Sequence, residues 1–376
     1  MKKLLVAGLA GILLMVGCTT GKGEQPVFAD VSELPLASAP PSPLPATPTP
    51  QPTEDLTGKA LNILSGYYID EAIARRRPVA VVINNIRKSL PQSGISQADL
   101  YYEVLAEGDI TRIIAIFQDF DSQKIGTVRS ARDYFLMFAA DHDALFVHFG
   151  GSTKAYSDIA ALGVNNMDGM RDDGYWRDPV RFSQPGMYEH SAYTSAEKIW
   201  AQMEKKGYRL EKAEDDTGMF NFYDTFTVPL AQQSGTVIAP PGQRHHSVTI
   251  PYAPGKQAAF TYDAEQRNYL RYQFGEPHID EETGQQLRVD NVLIQLTDMY
   301  VISGDDAGRR DVTLVGGGNG VLLTGGAAVP VTWQKASYAS PTQWFDQSGK
   351  KLTLNKGKTW ICVLDKNTEP TYDDFE

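Results

Sequence analysis

The 376-residue chain contains only two cysteines, Cys18 and Cys362, which limits the covalent chemistry open to it. If Cys18 carries the modification inferred below, Cys362 has no partner for an intramolecular disulfide. The pattern of residues 359–364 predicts a strand around Cys362. We therefore expect a buried, unreactive thiol there rather than a nucleophile.

The chain also lacks an excess of positive charge. It has 35 lysines and arginines against 46 aspartates and glutamates, which gives a formal net charge of −11. An acidic body argues against DNA, RNA or anionic lipid headgroups as its main partners.

No segment carries a familiar nucleophile, phosphate-binding or metal-binding motif. Gly150-Gly151-Ser152 does not match the Gly-x-Ser-x-Gly elbow of hydrolases. The glycine-rich residues 316–320 are not followed by the helix that a phosphate-binding loop needs, so we interpret them as a hairpin turn. His245-His246 has no third ligand nearby for zinc. The sequence therefore predicts no metal and no cofactor.

The N-terminal segment, residues 1–17, is typical of a secretory signal. Lys2 and Lys3 precede a short apolar run that ends in small residues, immediately before Cys18. The run is shorter than the roughly 20 residues that a membrane-spanning helix needs. A cysteine at this place predicts a lipoprotein signal, with the thiol lipidated, for example with palmitate, as the first mature residue. We expect the protein on the outer face of a bacterial cytoplasmic membrane, anchored by this lipid.

Residues 18–60 are rich in proline and threonine and contain few aromatics. Such a composition cannot form a packed core and favours extended polyproline geometry, so we expect a disordered stalk. The remaining chain is long enough for two domains. We predict an α/β domain at 61–218 and an antiparallel β-rich domain at 219–376.

Strands and helices alternate in the first predicted domain. Residues 101–107 and 112–119 flank Gly108-Asp109 and predict a hairpin. Apolar runs at 78–85 and 144–149 predict buried strands of a covered sheet. A helix is predicted at 131–142, with Ser130 as its N-cap and Asp133 at its third position. Two further helices are predicted, one at 153–162 that ends at Gly163 and one after the capping box at 194–197.

Short strands dominate the second predicted domain, and glycine and asparagine turns separate them. They are expected at residues 248–252, 259–263, 269–274, 291–296, 311–315, 320–324 and 359–364.

Several separated motifs resemble the YerB-type surface lipoproteins of Gram-positive bacteria. The N-terminal motifs are residues 78–85, 98–103 and 126–132. The C-terminal motifs are residues 327–333 with Lys335, then 348–350 and 357–361. The stretch 187–191, Met-Tyr-Glu-His-Ser, departs from the basic-Ala-Pro-His-Asn sequence that is commoner in the family. The resemblance implies a two-domain protein of unknown function in the cell envelope, and it implies no established reaction.

Two strand-to-helix junctions carry the polar residues of a candidate site. If the strands before them are parallel, both junctions lie at one sheet edge, where α/β sheets place ligands. Glycines would let a ligand approach the backbone, and arginines could grip a carboxylate or phosphate in forked geometry. The predicted ligand-binding residues are Arg129, Arg132, His148, Gly150, Gly151, Ser152, His190 and Glu103.

A structural interpretation of the same residues stays open. Glu103 and Glu107 share a strand face by alternation, and with Asp133 they could neutralise Arg129 and Arg132 in a buried network. His148, in an apolar strand, could equally be a core histidine.

The loop at 164–182 contains Asp168, Asp172, Asp173 and Asp178, and their carboxylate oxygens could suit calcium. Their spacing matches no EF-hand, so a solvated acidic loop is the simpler interpretation.

Aromatic residues in and after this loop could line a glycan or peptide groove or pack the loop onto the body, and we favour packing. These are Tyr175, Trp176, Phe182 and Tyr188.

Two functions remain open at the sequence level. The first is a non-enzymatic module that binds an anionic cell-wall component or a partner protein. The alternative is a wall-modifying hydrolase or transferase with His148 or His190 as base, and a Ser152–His190–Asp arrangement is one version of it. Both require Arg129, Arg132 and His148 to open onto one cleft.

Overall fold

The structure is a computed structural model that describes residues 55–225 and 237–375. The predicted signal, Cys18 and the predicted stalk up to residue 54 lie outside the described residues. Within the described ranges, no helix has the length and apolarity needed to cross a membrane. The described residues belong to one compact unit of the chain, Glu54–Glu376.

The first half of this unit alternates strands with short helices. Three 3-10 helices, Arg87–Ser89, Ile95–Gln97 and Tyr188–His190, lie in the connections. The other elements are β1 (Lys59–Leu61), β2 (Tyr68–Asp70), α1 (Glu71–Ala74), β3 (Val79–Asn85), β4 (Leu100–Glu107), β5 (Ile110–Phe117), β6 (Ile125–Gly126), α2 (Phe135–Ala140), β7 (Leu145–His148), α3 (Thr153–Leu162), β8 (Asn166–Asp168), β9 (Trp176–Arg177), α4 (Pro179–Ser183), β10 (Ala192–Thr194), α5 (Ala196–Lys205) and β11 (Asn221–Phe222).

The second half is built from strands. They are β12 (Gln243–Ala253), β13 (Lys256–Asp263), β14 (Asn268–Gln273), β15 (Glu276–Pro277), β16 (Arg288–Val289), β17 (Asn291–Thr297), β18 (Met299–Val301), β19 (Arg310–Val312), β20 (Gly316–Thr324), β21 (Ala327–Lys335), β22 (Gln343–Phe345), β23 (Thr353–Leu354), β24 (Thr359–Asp365) and β25 (Thr371–Asp374). The mixed α/β class with an antiparallel-rich sheet, expected from the sequence, is confirmed.

One large sheet runs through both halves in the order β15-β14-β13-β12-β21-β20-β17-β24-β4-β5-β3-β7-β8. The halves meet where β24 pairs in parallel with β4, with Trp360 opposite Tyr101. Their rings stack with centroids 4.5 Å apart, and both side chains are buried. The first half therefore completes the sheet of the second half at this pair of strands.

The buried strands form where the apolar runs predict them. Every residue of β3 is buried, and β3 lies between the antiparallel β5 and the parallel β7. The predicted hairpin is the β4–β5 pair. Helix α3 has the predicted bounds, because the Ser152 side chain accepts from the Ala155 N–H at its start and Gly163 ends it in the left-handed conformation.

The helix predicted at 131–142 is shorter than expected, and Ser130 is not its cap. Helix α2 begins at Phe135, and no side chain caps it. The Ala131 N–H donates to the Gly150 carbonyl, and the Ala131 carbonyl accepts from the Ser152 N–H. These lateral bonds hold residue 131 in an extended conformation, so the helix cannot start before them.

The glycine-rich residues 316–320 form the first part of β20, and the predicted hairpin turn is wrong. They pair in register with β21 from Gly316 opposite Lys335 onward. A Cβ at Gly318 would lie 2.6 Å from the Leu296 carbonyl oxygen, and one at Gly320 would lie 2.4 Å from that of Ile294. Glycine is therefore needed for close strand packing rather than for a turn.

A buried ion pair joins the two halves behind β4. Glu103 Oε2 lies 2.7 Å from Arg271 Nη2, and neither side chain is exposed. Lys256 lies beside this pair and donates to the Asn85 carbonyl at 2.6 Å. Burial lowers the pKa of Lys256 to about 7, since the attraction of Glu103 only partly offsets the loss of hydration.

Lys256 should make the stability of the fold depend on pH. An unfolded lysine has a pKa near 10.4, so as the pH falls from about 10 to 7 the unfolded chain gains a proton that the folded chain does not. The free energy of unfolding should therefore fall over this range by more in the native protein than in Lys256→Met. Chemical denaturation at pH 7 and pH 10 measures the difference, with Lys198→Met on the exposed face of α5 as control. Equal pH dependence of the native protein and Lys256→Met would contradict the prediction.

Cys362 should be inert in the folded protein. It is buried in β24, and burial raises the pKa of its thiol to about 12. In the chain from residue 55 onward it is the sole cysteine. We expect negligible alkylation by iodoacetamide at pH 8 under native conditions and complete alkylation in guanidinium chloride. Rapid native labelling would show that the strand opens.

Candidate functional site

The segment that follows β6 lies between the second half of β3 and the segment that follows β7. The Phe149 N–H donates to the Arg129 carbonyl at 2.9 Å, and the Arg129 N–H donates to the Val82 carbonyl at 2.9 Å. We expected β6, the strand before Arg129, to belong to the same sheet as β7. Instead, β6 pairs with β10 in a small separate sheet. The predicted meeting of the two junctions nevertheless occurs through the residues that follow β6.

An open cavity of about 390 Å³ lies over this junction. Three of the predicted site residues line it, namely Arg129, Gly150 and Gly151. Gly150 has a φ of 75°, a conformation that a residue with a Cβ rarely adopts. Gly150 and Gly151 thus bring the backbone to the cavity surface.

Arg129 is the predicted arginine that reaches the cavity. Its side chain is 19% exposed, and its two terminal nitrogens donate to the carbonyl and the carboxylate of Glu189, each at 3.1 Å. Its Nε is buried and has no hydrogen-bond partner in the described residues. Glu189 is well exposed, so its carboxylate can leave Arg129 without a large packing cost.

Arg132 belongs to a buried network and does not line the cavity. Its Nη2 lies 2.5 Å from Glu107 Oε2, and Arg112 Nη2 lies 2.7 Å from Glu107 Oε1. Burial opposes ionisation of Glu107, but Arg112 and Arg132 outweigh it and hold the pKa of Glu107 below its usual value. The structural interpretation is therefore the right one for Arg132.

Glu103 and Glu107 lie on opposite faces of β4, contrary to the expected alternation. The register with β5 shifts between Leu105 and Glu107, as a β-bulge does. Glu103 consequently contacts Thr111 while Glu107 contacts Arg112, the next residue of β5. Glu103 lies with Arg271 on the far side of the sheet and is not part of the cavity.

His148 is a core histidine and does not open onto the cleft. It is fully buried, with Nδ1 2.8 Å from the Gly150 carbonyl and Nε2 2.9 Å from Asn166 Nδ2. This pattern places the proton on Nδ1. Burial lowers the pKa of His148 although Asp168 opposes the shift, so the ring is neutral and sealed. His148 positions the Gly150 carbonyl instead of reaching a substrate. The expectation that Arg129, Arg132 and His148 open onto one cleft is therefore wrong, because of these three residues Arg129 alone lines the cavity.

His190 is nearly buried beside Arg129. Its Nδ1 lies 2.8 Å from Asn84 Nδ2, while its Nε2 makes no hydrogen bond within the described ranges. Burial and then the charge of Arg129 lower the pKa of His190. The considered Ser152–His190 pairing does not form, because the Ser152 hydroxyl caps α3 and His190 bonds Asn84.

The four aspartates of the loop have separate structural partners. Asp168 is buried and accepts from the N–H groups of Gly150 and Met170, which fixes the glycine segment. Asp172 and Asp173 pair with lysines of the α5 end, and Asp178 caps α4. The loop is therefore less solvated than expected. Among the described residues, no group of three His, Cys, Asp or Glu could hold a metal ion.

The four aromatic residues divide into two pairs. The Tyr175 hydroxyl lies 2.9 Å from the backbone carbonyls of His148 and Met167, and Trp176 stacks on Tyr193. Packing, the favoured interpretation, holds for this pair. Phe182 and Tyr188 remain exposed and contact each other with ring centroids 5.1 Å apart.

Arg177 is a cavity residue that sequence reasoning missed. Its guanidinium lies 4.6 Å from the Phe149 ring centroid and 4.3 Å from that of Tyr188. It sits in a loop that its aspartates mark as acidic, and only the pairing of β9 with β10 carries it to the cavity. No local pattern indicates such a pairing.

Comparison with known proteins gives consistent matches. Residues 64–209 match the model described as “Protein of unknown function (DUF3048) N-terminal domain”, and residues 248–361 match its C-terminal domain. The chain is 34% identical over 307 residues to “Putative lipoprotein YerB” of Bacillus subtilis (strain 168). The matched region covers 80% of this chain and 85% of that protein. It also matches the crystal structure of the YerB protein from Bacillus subtilis with a TM-score of 0.70 and 32% identity, over 83% of this chain and all of that one. With both domains matched and a relative at this identity matched over most of its length, the chain belongs to the YerB-type DUF3048 family.

Proposed function

We propose that this protein is a lipid-anchored envelope lipoprotein whose body binds an anionic group of a cell-wall component in the Arg129 cavity. The lipid on Cys18 would hold it at the outer face of the cytoplasmic membrane, and residues 18–60 would serve as the stalk. The signal pattern at residues 1–18 and the name of the Bacillus relative support the anchor. The notion of a binding module rests on the cavity.

The observation that carries the proposal is an excess of positive charge at an open cavity of an acidic protein. The charged residues that line it are Arg129, Arg177 and Glu189, so positive charge exceeds negative charge by one there, although the chain has a net charge of −11. Burial lowers the pKa of Arg112 to about 10, and the charges of Arg129 and Arg132 add to this effect while Glu107 opposes it. Such a field favours an incoming carboxylate or phosphate.

The wall-modifying enzyme remains the alternative, with fewer groups available to it. His148 is sealed in the core, and the Ser152 hydroxyl is committed to α3. His190 lies beside Arg129, and its Nε2, which makes no hydrogen bond to the part of the chain that the structure describes, is the feature that favours this alternative. Release of soluble fragments from purified cell wall, lost in His190→Ala, would support this alternative over simple binding.

Arg129→Ala should weaken binding of the soluble chain, from residue 55 onward, to purified cell wall by about tenfold or more. Co-sedimentation with the wall measures the bound fraction. Arg129→Lys should recover part of the affinity, because it keeps the charge but loses the forked geometry. Arg75→Ala, an exposed arginine outside the cavity, is the matched control. Unchanged binding by Arg129→Ala would refute the proposed site.

Glu189→Gln should strengthen the same binding, by up to about fivefold, because the carboxylate of Glu189 competes with the ligand for Arg129. Increasing salt should reduce this gain. Glu204→Gln, on the exposed side of α5, should have no effect and serves as control. Weaker binding by Glu189→Gln would show that Glu189 contacts the ligand instead of competing with it.

A further inference from the structure

The mouth of the cavity carries large apolar side chains that are exposed to solvent. Met170 is 66% exposed, Tyr188 57% and Phe182 46%. Met170 and Tyr188 line the cavity, and Phe182 contacts the Tyr188 ring. An apolar rim of this kind next to a charged pocket indicates contact with a ligand that has both properties.

Tyr188 is held in place although its ring is exposed. Its carbonyl accepts from Arg177 Nη1 at 2.5 Å and from the Ser191 hydroxyl at 2.7 Å. The Arg177 guanidinium stacks on its ring, and Phe149 supports the guanidinium from another side. Because the ring is already ordered, stacking a ligand on it costs little conformational entropy.

The size of the cavity favours a small chemical group over a protein surface. About 390 Å³ lies in the range of pockets that enclose ligand-sized groups. A stable protein interface would need roughly 800 Å² on each partner, far more than three rim side chains supply. The occupant should therefore be a ring-sized unit, alone or within a flexible polymer.

We infer that the ligand is an anionic glycan, a sugar polymer that bears carboxylate or phosphate groups. This inference rests on the proposed function and names its ligand class. The anionic group binds Arg129, and the C–H face of an adjacent sugar ring stacks on Tyr188 and Phe182. In the cavity, the charged Arg129 and the apolar rim lie apart from each other. In such a polymer, the charged groups and the sugar rings alternate in a matching way.

The test compares three soluble probes by isothermal titration calorimetry with the chain from residue 55 onward. Oligogalacturonate has rings and charge, polyglutamate has charge without rings, and a dextran oligomer has rings without charge. Oligogalacturonate should bind most tightly. Tyr188→Ala should weaken its binding roughly five- to tenfold and leave polyglutamate binding unchanged. Tyr300→Ala, a 53% exposed tyrosine outside the cavity, should change neither.

The outcomes separate the inference from the proposed function beneath it. If polyglutamate binds as tightly as oligogalacturonate and Tyr188→Ala affects neither, the sugar ring contributes nothing to binding, and the glycan inference is overturned while anion binding stands. If Arg129→Ala leaves every probe and the cell wall bound as before, the proposed function fails as well. Reduced binding of Tyr188→Ala to purified cell wall supports the glycan with the natural polymer.

Discussion

The two glutamates of β4 organise both faces of the protein. Glu103 meets Arg271 in a fully buried ion pair between the two halves, and removal of one partner from such a pair typically costs about 3–5 kcal/mol. The β-bulge that follows turns Glu107 to the opposite face, where it holds Arg112 and Arg132. Without that bulge both carboxylates would lie on one face, and Arg112 and Arg132 would lose their carboxylate partner.

The availability of Arg129 follows from this arrangement. Glu107 is saturated by two arginines, so within the described residues Arg129 forms an ion pair only with the exposed Glu189 at the cavity mouth. Buried charges are unfavourable unless they are paired, and in the interior Glu107 pairs with both Arg112 and Arg132. The remaining positive field is directed toward a cavity with a glycine backbone on one side and an ordered tyrosine on the other. Arg112 and Arg132 therefore form the buried network, while the neighbouring Arg129 is available to a ligand.

Sequence reasoning succeeded where the determinants are local. The apolar run of β3, the hairpin of β4 and β5, and the ends of α3 all follow from periodicity and capping within a few residues. It failed where a distant partner decides the conformation. Ser130 has the composition of a cap, yet bonds between residue 131 and the 150–152 segment delay the helix, and the glycines at 316–320 have the composition of a turn but pair with β21.

By itself, the sequence determined the fold class, the buried strands and the burial of Cys362, because each depends on neighbours along the chain. Only the tertiary structure decided which of the predicted site residues reach solvent. His148 and Arg132 are enclosed, Arg129 is open, and Arg177 arrives from a loop with no motif of its own. The physical reason is that exposure and ion pairing depend on strand register and on contacts between distant segments, and a single bulge in β4 changes both.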